Sequence, residues 1–283
     1  MSYRNRKFTS DMMRYFILIV VGLGMTYPLL WMFFSTFKST AEIFGNPSLL
    51  PKVWTLDGYR DLFRTYGGQL NLPRAMANTM TITVIKVIFT ALSVTIAAYG
   101  FARFQFVGKK ILFPLMISTL FLPQTVLNAP QYIMYKNWGW LDSYLPLIVP
   151  SLFAADTFFV FMVIQFLRGI PREMEQAASI DGCNSLQSLL YIIVPILKPA
   201  IISAALFQFM WTSNDFMGPL IYVTTVSRRP VSIFIKMCMD ADAGTAWNRI
   251  LAFSLIALLP SLILFFIAQK SFVEGVSAGS LKG

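Results

Sequence analysis

Three charged side chains, Lys86, Asp156 and Asp215, lie inside otherwise apolar stretches of the sequence, and five polar or aromatic groups lie in apolar stretches too: Gln124 and Asn128 in one without a charge, Gln208, Trp211 and Asn214 in that of Asp215. The chain contains no histidine, which removes the commonest general base and metal ligand. Its acids stand singly, so neither a catalytic cluster nor a metal site is read. Recognition chemistry remains. Amides donate and accept hydrogen bonds, and an indole offers a flat face, which together suit a polyhydroxyl ligand such as a sugar. Ordinary hydrogen bonds between helices account for the same residues without any ligand.

The three charges fall at comparable depth. At 1.5 Å rise per residue, Lys86 and Asp156 lie about 12 to 16 Å from the outer ends of their apolar spans, and Asp215 roughly 10 Å from its own. A lysine and an acid buried at one level are more comfortable paired than apart. Lys86 is therefore expected to pair with Asp156 or Asp215. Snorkelling of its ammonium to a lipid headgroup is the competing expectation.

The elements that must position these groups follow from composition. Hydrophobic residues make up 56% of the chain and charged ones 13%, which excludes an ordinary soluble domain and implies an all-α polytopic membrane protein. Six apolar spans are read: Tyr15 to Phe34, Asn78 to Phe101 interrupted by Lys86, Ile111 to Tyr135, Leu145 to Leu167 containing Asp156, Pro199 to Tyr222, and Ile250 to Ala268. The first is too long for a signal peptide and reads as an uncleaved span. Three prolines and three amides in the third (Pro114, Pro123, Pro130, Gln124, Asn128, Gln131) require one face to meet protein or water. Ser35 to Ala77 and Val223 to Arg249 read as external loops, and Trp138 and Trp140 fit an interfacial belt.

Six spans put both termini on one side. Arg4, Arg6, Lys7, Arg14, Arg103, Lys109, Lys110, Arg168, Arg172, Lys198, Lys270 and Lys282 then share that side, whereas the short outer turn carries only Lys136, and the nine on the two long outer loops are largely exempt from the count. The positive-inside rule makes the basic side cytoplasmic. The net charge of +10 is thus read as lipid-facing rather than nucleic-acid-binding, because its basic residues are dispersed among the spans.

Between the fourth and fifth spans lies a polar island, Pro171 to Pro199, on that cytoplasmic side. Pro171 suits a first helical position, and Glu173 and Glu175 complement the positive end of a helix dipole. Gly182 supplies a left-handed stop after Asp181, and Asn184 with Gln187 forms a capping box for a second helix.

Gln176-Ala177-Ala178, then Asp181-Gly182, then Ile192-Ile193-Val194-Pro195 resemble the EAA loop of the membrane permease subunits of ABC importers, with Gln176 where that family has Glu and Glu175 beside it. Asn78-Thr79, Ala98 to Arg103, Asn214-Asp215 with Gly218-Pro219-Leu220, and Gly275 to Gly283 look like further features of the carbohydrate-uptake, MalG-type branch. The resemblance implies the type I importer transmembrane fold. It also implies a second homologous permease as heterodimer partner, two ATPase subunits and an extracellular sugar-binding protein. Glu173, Glu175, Gln176, Ala177, Ala178, Asp181 and Gly182 would meet the ATPase, coupling its closure to alternating access. Nothing in the chain matches a phosphate-binding G-x-x-x-x-G-K-[ST] loop, so ATP and Mg belong to the partner and the chain itself binds no cofactor and is not an enzyme.

The expected organisation is a cytoplasmic tail, first span and external loop over 1–73, a transmembrane domain over 74–271 with the coupling loop at about 168–198, and a cytoplasmic tail over 272–283. The implied location is the bacterial inner membrane. The alternative is a secondary transporter or channel working without an ATPase, for which Asp156 and Asp215 are the features in favour. The sequence does not distinguish a disaccharide from a longer or acidic oligosaccharide.

Overall fold

The computed structural model describes residues 3–45, 48–241 and 246–280, with side chains for 11–45, 48–241 and 246–270. Lys282 and the end of the expected 272–283 tail lie outside them. The described residues contain helices and no strand. In order they are α1 Tyr3–Ser35, α2 Thr40–Gly45, α3 Asp57–Arg60, α4 Leu72–Arg103, α5 Lys109–Thr119, α6 Gln124–Asn137, α7 Leu145–Leu152, α8 Thr157–Arg168, α9 Glu173–Ile180 and α10 Ser185–Ser188. A π turn Leu189–Ile193 follows, then α11 Val194–Ser213, α12 Met217–Tyr222, α13 Val231–Ala241 and α14 Trp247–Ser280.

The chain forms two compact units. One comprises Met1–Tyr66 with Ile235–Leu258, the other Gly67–Phe234 with Leu259–Gly283. In the first, α1 exposes a continuous apolar surface from Met12 to Tyr27, consistent with a helix bathed in lipid. The residues after it are tied down: Tyr59 Oη donates to Thr36 Oγ1 at 2.8 Å, Lys38 Nζ donates to the Ser48 carbonyl, and Arg249 pairs with Asp61.

In the second unit α4 is the central rod. Asn71 caps it by accepting from the Arg74 N–H, Pro73 lies in its first turn, and no proline interrupts it afterwards. It runs through Lys86 without a break and packs against α7, α8 and α11. Ala98, Ala200 and Ala204 let α4 and α11 approach closely around Phe159, Val163, Ile164 and Leu167.

The third, fourth and fifth spans are broken, which corrects the single helices expected. The third is split into α5 and α6, bent by 107°. Pro123, at the N-cap of α6, has no N–H with which to continue α5. The fourth breaks between α7 and α8, where Ala154 adopts a left-handed backbone with φ of 54°, and this puts Asp156 at the N-cap of α8 rather than in mid-helix. The fifth begins earlier than Pro199 and ends earlier than Tyr222, since helix is continuous from Ser185 to Ser213. Pro195 offers no N–H to the carbonyl four residues back, and beside it the ladder rewinds through the π turn. Asn214 and Asp215 therefore occupy a break between α11 and α12 instead of a helix interior.

Candidate functional site: a polar cavity and a clamped loop

The three helix breaks converge. Leu120 and Leu122 from the first, Ala155 and Asp156 from the second, and Asp215 from the third line one open cavity of about 600 Å³. Irregular backbone within membrane spans is tolerated where it lines a cavity, because its unsatisfied polar groups meet water or ligand there instead of hydrocarbon. Lys86 from α4, Gln124, Asn128 and Gln131 from α6, and Gln208 and Trp211 from α11 complete the polar wall. The amide face demanded by the prolines of the third span is thus turned inward. Asn214 is not among the lining residues; its amide folds back to donate to the Met210 carbonyl at 2.8 Å.

Within this wall the hydrogen bonding is partly unfilled. Gln208 is 1% exposed, its Nε2 donates to Thr212 Oγ1 at 3.0 Å, and its buried Oε1 has no partner. Gln124 Nε2 donates to Gln131 Oε1 at 3.1 Å. Trp211 stands half exposed, with Phe158 and Phe159 packed on its ring at 5.4 and 5.0 Å.

Lys86, Asp156 and Asp215 all face this space, but the expected ion pair is not formed. Among the described residues, no pair within 4.0 Å joins Lys86 to either acid. Asp156 Oδ2 accepts instead from Thr90 Oγ1 at 3.4 Å, and Asp215 Oδ1 accepts from the Gly218 N–H at 3.1 Å. With polar room between them, the charges have less to gain from direct contact than they would have in a dry core.

The polar island forms the expected helix, turn and helix. The turn at Gly182 has φ of 87°, and the Cys183 N–H closes it on the Ala178 carbonyl at 2.9 Å. The capping box is complete: Asn184 Oδ1 accepts from the Gln187 N–H at 2.9 Å, and Gln187 Oε1 accepts from the Asn184 N–H at 2.8 Å. Ala178 is buried, while Glu173, Gln176, Ala177, Asp181 and Gly182 are exposed.

Glu175 departs from that exposed set. It turns inward, its Oε1 accepting from Arg103 Nε at 2.6 Å with both side chains largely buried. Gln176, its neighbour, is the one that faces outward. In the sequence Arg103 counts as one of the basic residues of its side and closes the Ala98 to Arg103 run; nothing local links it to an acid so far along the chain.

On the opposite side of the same unit, the turn before α7 is latched to the segment after α12. Asp142, with positive φ of 57°, accepts from Thr225 Oγ1 at 2.5 Å, from the Thr225 N–H at 2.7 Å and from the Thr224 N–H at 3.0 Å. Its own N–H donates to the Tyr222 carbonyl at 2.8 Å. These bonds, the Thr225 hydroxyl first, hold its carboxyl down at about 2. The sequence reading missed Asp142, whose only local signal is an acid beside an aromatic turn.

Comparison with known proteins agrees with this architecture. No family model matches the chain. A probable ABC transporter permease protein of Bacillus subtilis, YurM, is 29% identical over 261 residues, covering 92% of this chain and 85% of that protein. AmyC of Thermoanaerobacterium thermosulfurigenes, a probable permease protein of a transport system for starch degradation products, is 29% identical over 270 residues, covering 93% and 96%. Among solved structures, a chain of a bacterial ABC transporter involved in import of the acidic polysaccharide alginate superposes with a TM-score of 0.79 at 19% identity, covering 96% of this chain and 99% of that one. The chain is thus similar along nearly its whole length to ABC transporter permease proteins, one of a sugar-related system among them, and shares the multi-pass helical fold of an ABC importer chain.

Proposed function

We propose that the chain is the membrane half-channel of an ATP-driven sugar importer, in which a separate ATPase grips the α9–α10 loop and drives alternating access at the polar cavity. The observation that carries this reading is the way the loop is built. Its inner face, Ala178 and Glu175, is held against the protein, while its outer face presents Ile180 at 88% and Leu186 at 63% exposure. Apolar side chains so exposed on a capped, rigid turn suit insertion into a groove on a partner. Gln176, Asp181 and Gly182 lie on that outer face and would frame the contact.

The cavity supports the sugar assignment through the amides of Gln124, Asn128 and Gln131 and the Trp211 ring, with Asp215 as a further contact and Gln208 buried behind them. The relatives reported above are consistent with a second homologous permease, two ATPase subunits carrying ATP and Mg, and an extracellular sugar-binding protein as partners. The distribution of basic residues supports both termini and the loop facing the cytoplasm of a bacterial inner membrane. A transporter working without an ATPase is not favoured, since it leaves the exposed loop without a role.

The test is reconstitution of the chain in lipid with a second permease, the ATPase pair and candidate binding proteins, followed by ATP hydrolysis with and without sugar. Sugar-stimulated hydrolysis is expected. Ile180→Asp is expected to lower ATPase recovery on the membrane chain roughly tenfold or more, the scale of a central interface residue. Solute uptake by the purified chain with no ATPase bound would overturn the reading.

A further inference from the structure

The end of α4 and the start of the loop are bound by two arginines, each donating across the gap. Arg103, in the last turn of α4, donates through Nε to Glu175 Oε1 at 2.6 Å and through Nη2 to the Ile170 carbonyl at 2.9 Å. Arg172, just before α9, returns the contact by donating to the Ala102 carbonyl at 3.2 Å. Tyr99, one turn earlier on α4, adds Oη to the Ser185 carbonyl at 3.4 Å. The Arg103 and Glu175 side chains are only 7% and 16% exposed.

A surface pair of this kind contributes little, because water competes and two long side chains must be immobilised. A largely buried pair with a second hydrogen bond on the guanidinium is different, since separating it leaves a charge unsolvated. The loop is therefore fastened to α4 by a largely buried ion pair and its flanking hydrogen bonds, in addition to its covalent continuity with the helices on either side. The far end of the tether matters as well. Without an internal proline, α4 transmits displacement along its axis, and Lys86, a cavity residue, lies about 26 Å up the same helix from Arg103.

We propose that Arg103 is a positioning residue that couples the loop to α4, so that displacement of α9 is delivered to the cavity wall at Lys86 through α4 as well as through α8 and α11. This inference rests on the reading that an ATPase moves the loop. Glu175 thereby acts toward the chain's own interior, while Gln176 is left to face the partner.

The test uses the assembled transporter in lipid, with ATPase recovery, ATP hydrolysis, sugar uptake per ATP and a spin-label distance from α4 to α13 all measured on the same samples. Arg103→Met is expected to retain the ATPase and hydrolyse ATP while uptake per ATP falls at least fivefold and the ATP-dependent distance change is lost. Glu175→Gln, which keeps an acceptor at the same place, is expected to be milder. The exchange Arg103→Glu with Glu175→Arg is expected to recover at least half of the lost coupling. Normal coupling and normal α4 movement in Arg103→Met overturn the proposal. So does a loss accompanied by equal loss of ATPase recovery that the exchange does not repair, since that outcome marks a fold defect. If the wild-type chain recovers no ATPase, the reading beneath the proposal fails and the clamp fails with it.

Discussion

Asp215 folds its carboxylate back over Gly218, accepting the glycine N–H at 3.1 Å, so closely that a Cβ on Gly218 would meet Oδ2 at 2.5 Å and Leu147 Cδ2 at 2.9 Å. The glycine holds the acid in its position on the cavity wall. Gly218→Ala is expected to push the carboxylate off this perch at a cost of about 1 kcal/mol, because the intruded atoms end short or flexible side chains. Sugar uptake should fall several-fold with ATPase recovery unchanged, measured in reconstituted vesicles. Unchanged uptake would mean that the carboxylate's position is unimportant.

Gly182 raises a backbone question with no packing component. Its φ is +87° and nothing lies within 4 Å of a Cβ built there, so a substitution meets only the cost of the left-handed conformation. Gly182→Ala is expected to cost about 1 kcal/mol and Gly182→Val more, while Gly182→Asn should be milder because asparagine tolerates this region. ATPase copurification should decline in the order Gly, Asn, Ala, Val. Equal recovery across the series would count against the turn's setting the loop's shape.

The cavity separates residues that are adjacent in sequence. Trp211 and Gln208 line it, whereas Asn214 is spent on the Met210 carbonyl. Trp211→Ala and Gln208→Leu are expected to reduce uptake at limiting sugar, the former also losing its contacts with Phe158 and Phe159. Asn214→Ala should leave uptake within about twofold and cost on the order of 1 kcal/mol of stability. The reverse pattern in a transport assay would move the sugar route away from this wall.

Asp142 provides a pH dependence. Its carboxyl is held at about 2 in the folded protein, below its ordinary value near 3.9. The linked stabilisation is therefore fully present above about pH 4 and is lost as pH falls through 2. Asp142→Asn should remove that dependence and speed amide exchange at Thr224 and Thr225 roughly tenfold at neutral pH. Exchange at these amides that ignores both the substitution and acid would show that the latch does not hold the turn.

How much was legible in the sequence differs from one element to another. The α9–α10 loop, its turn and its cap were readable because Gly182, Asn184 and Gln187 act on backbone within three residues of themselves, and such interactions depend on spacing alone. The spans were readable because burial in hydrocarbon imposes a length and a composition. Their breaks were not. Pro123 marks one, but the break before Asp156 depends on Ala154, a residue that adopts left-handed backbone only under tertiary pressure. The cavity candidates Gln124, Asn128, Gln208, Trp211 and Asp215 share one wall, while Asn214, at the end of α11, turns back to the Met210 carbonyl, which residue type alone does not reveal.

The sequence by itself determined that the chain crosses a membrane as helices, how the polar island after the fourth span turns and caps, and which polar residues are too costly to bury without purpose, because each follows from local geometry or from transfer into lipid. Only the tertiary structure decided that Arg103 grips Glu175, that Lys86 and its two acids share a cavity without pairing, and that Asp142 latches a distant turn. Those outcomes depend on which side chains meet across the fold, and charge alone does not choose among many possible partners.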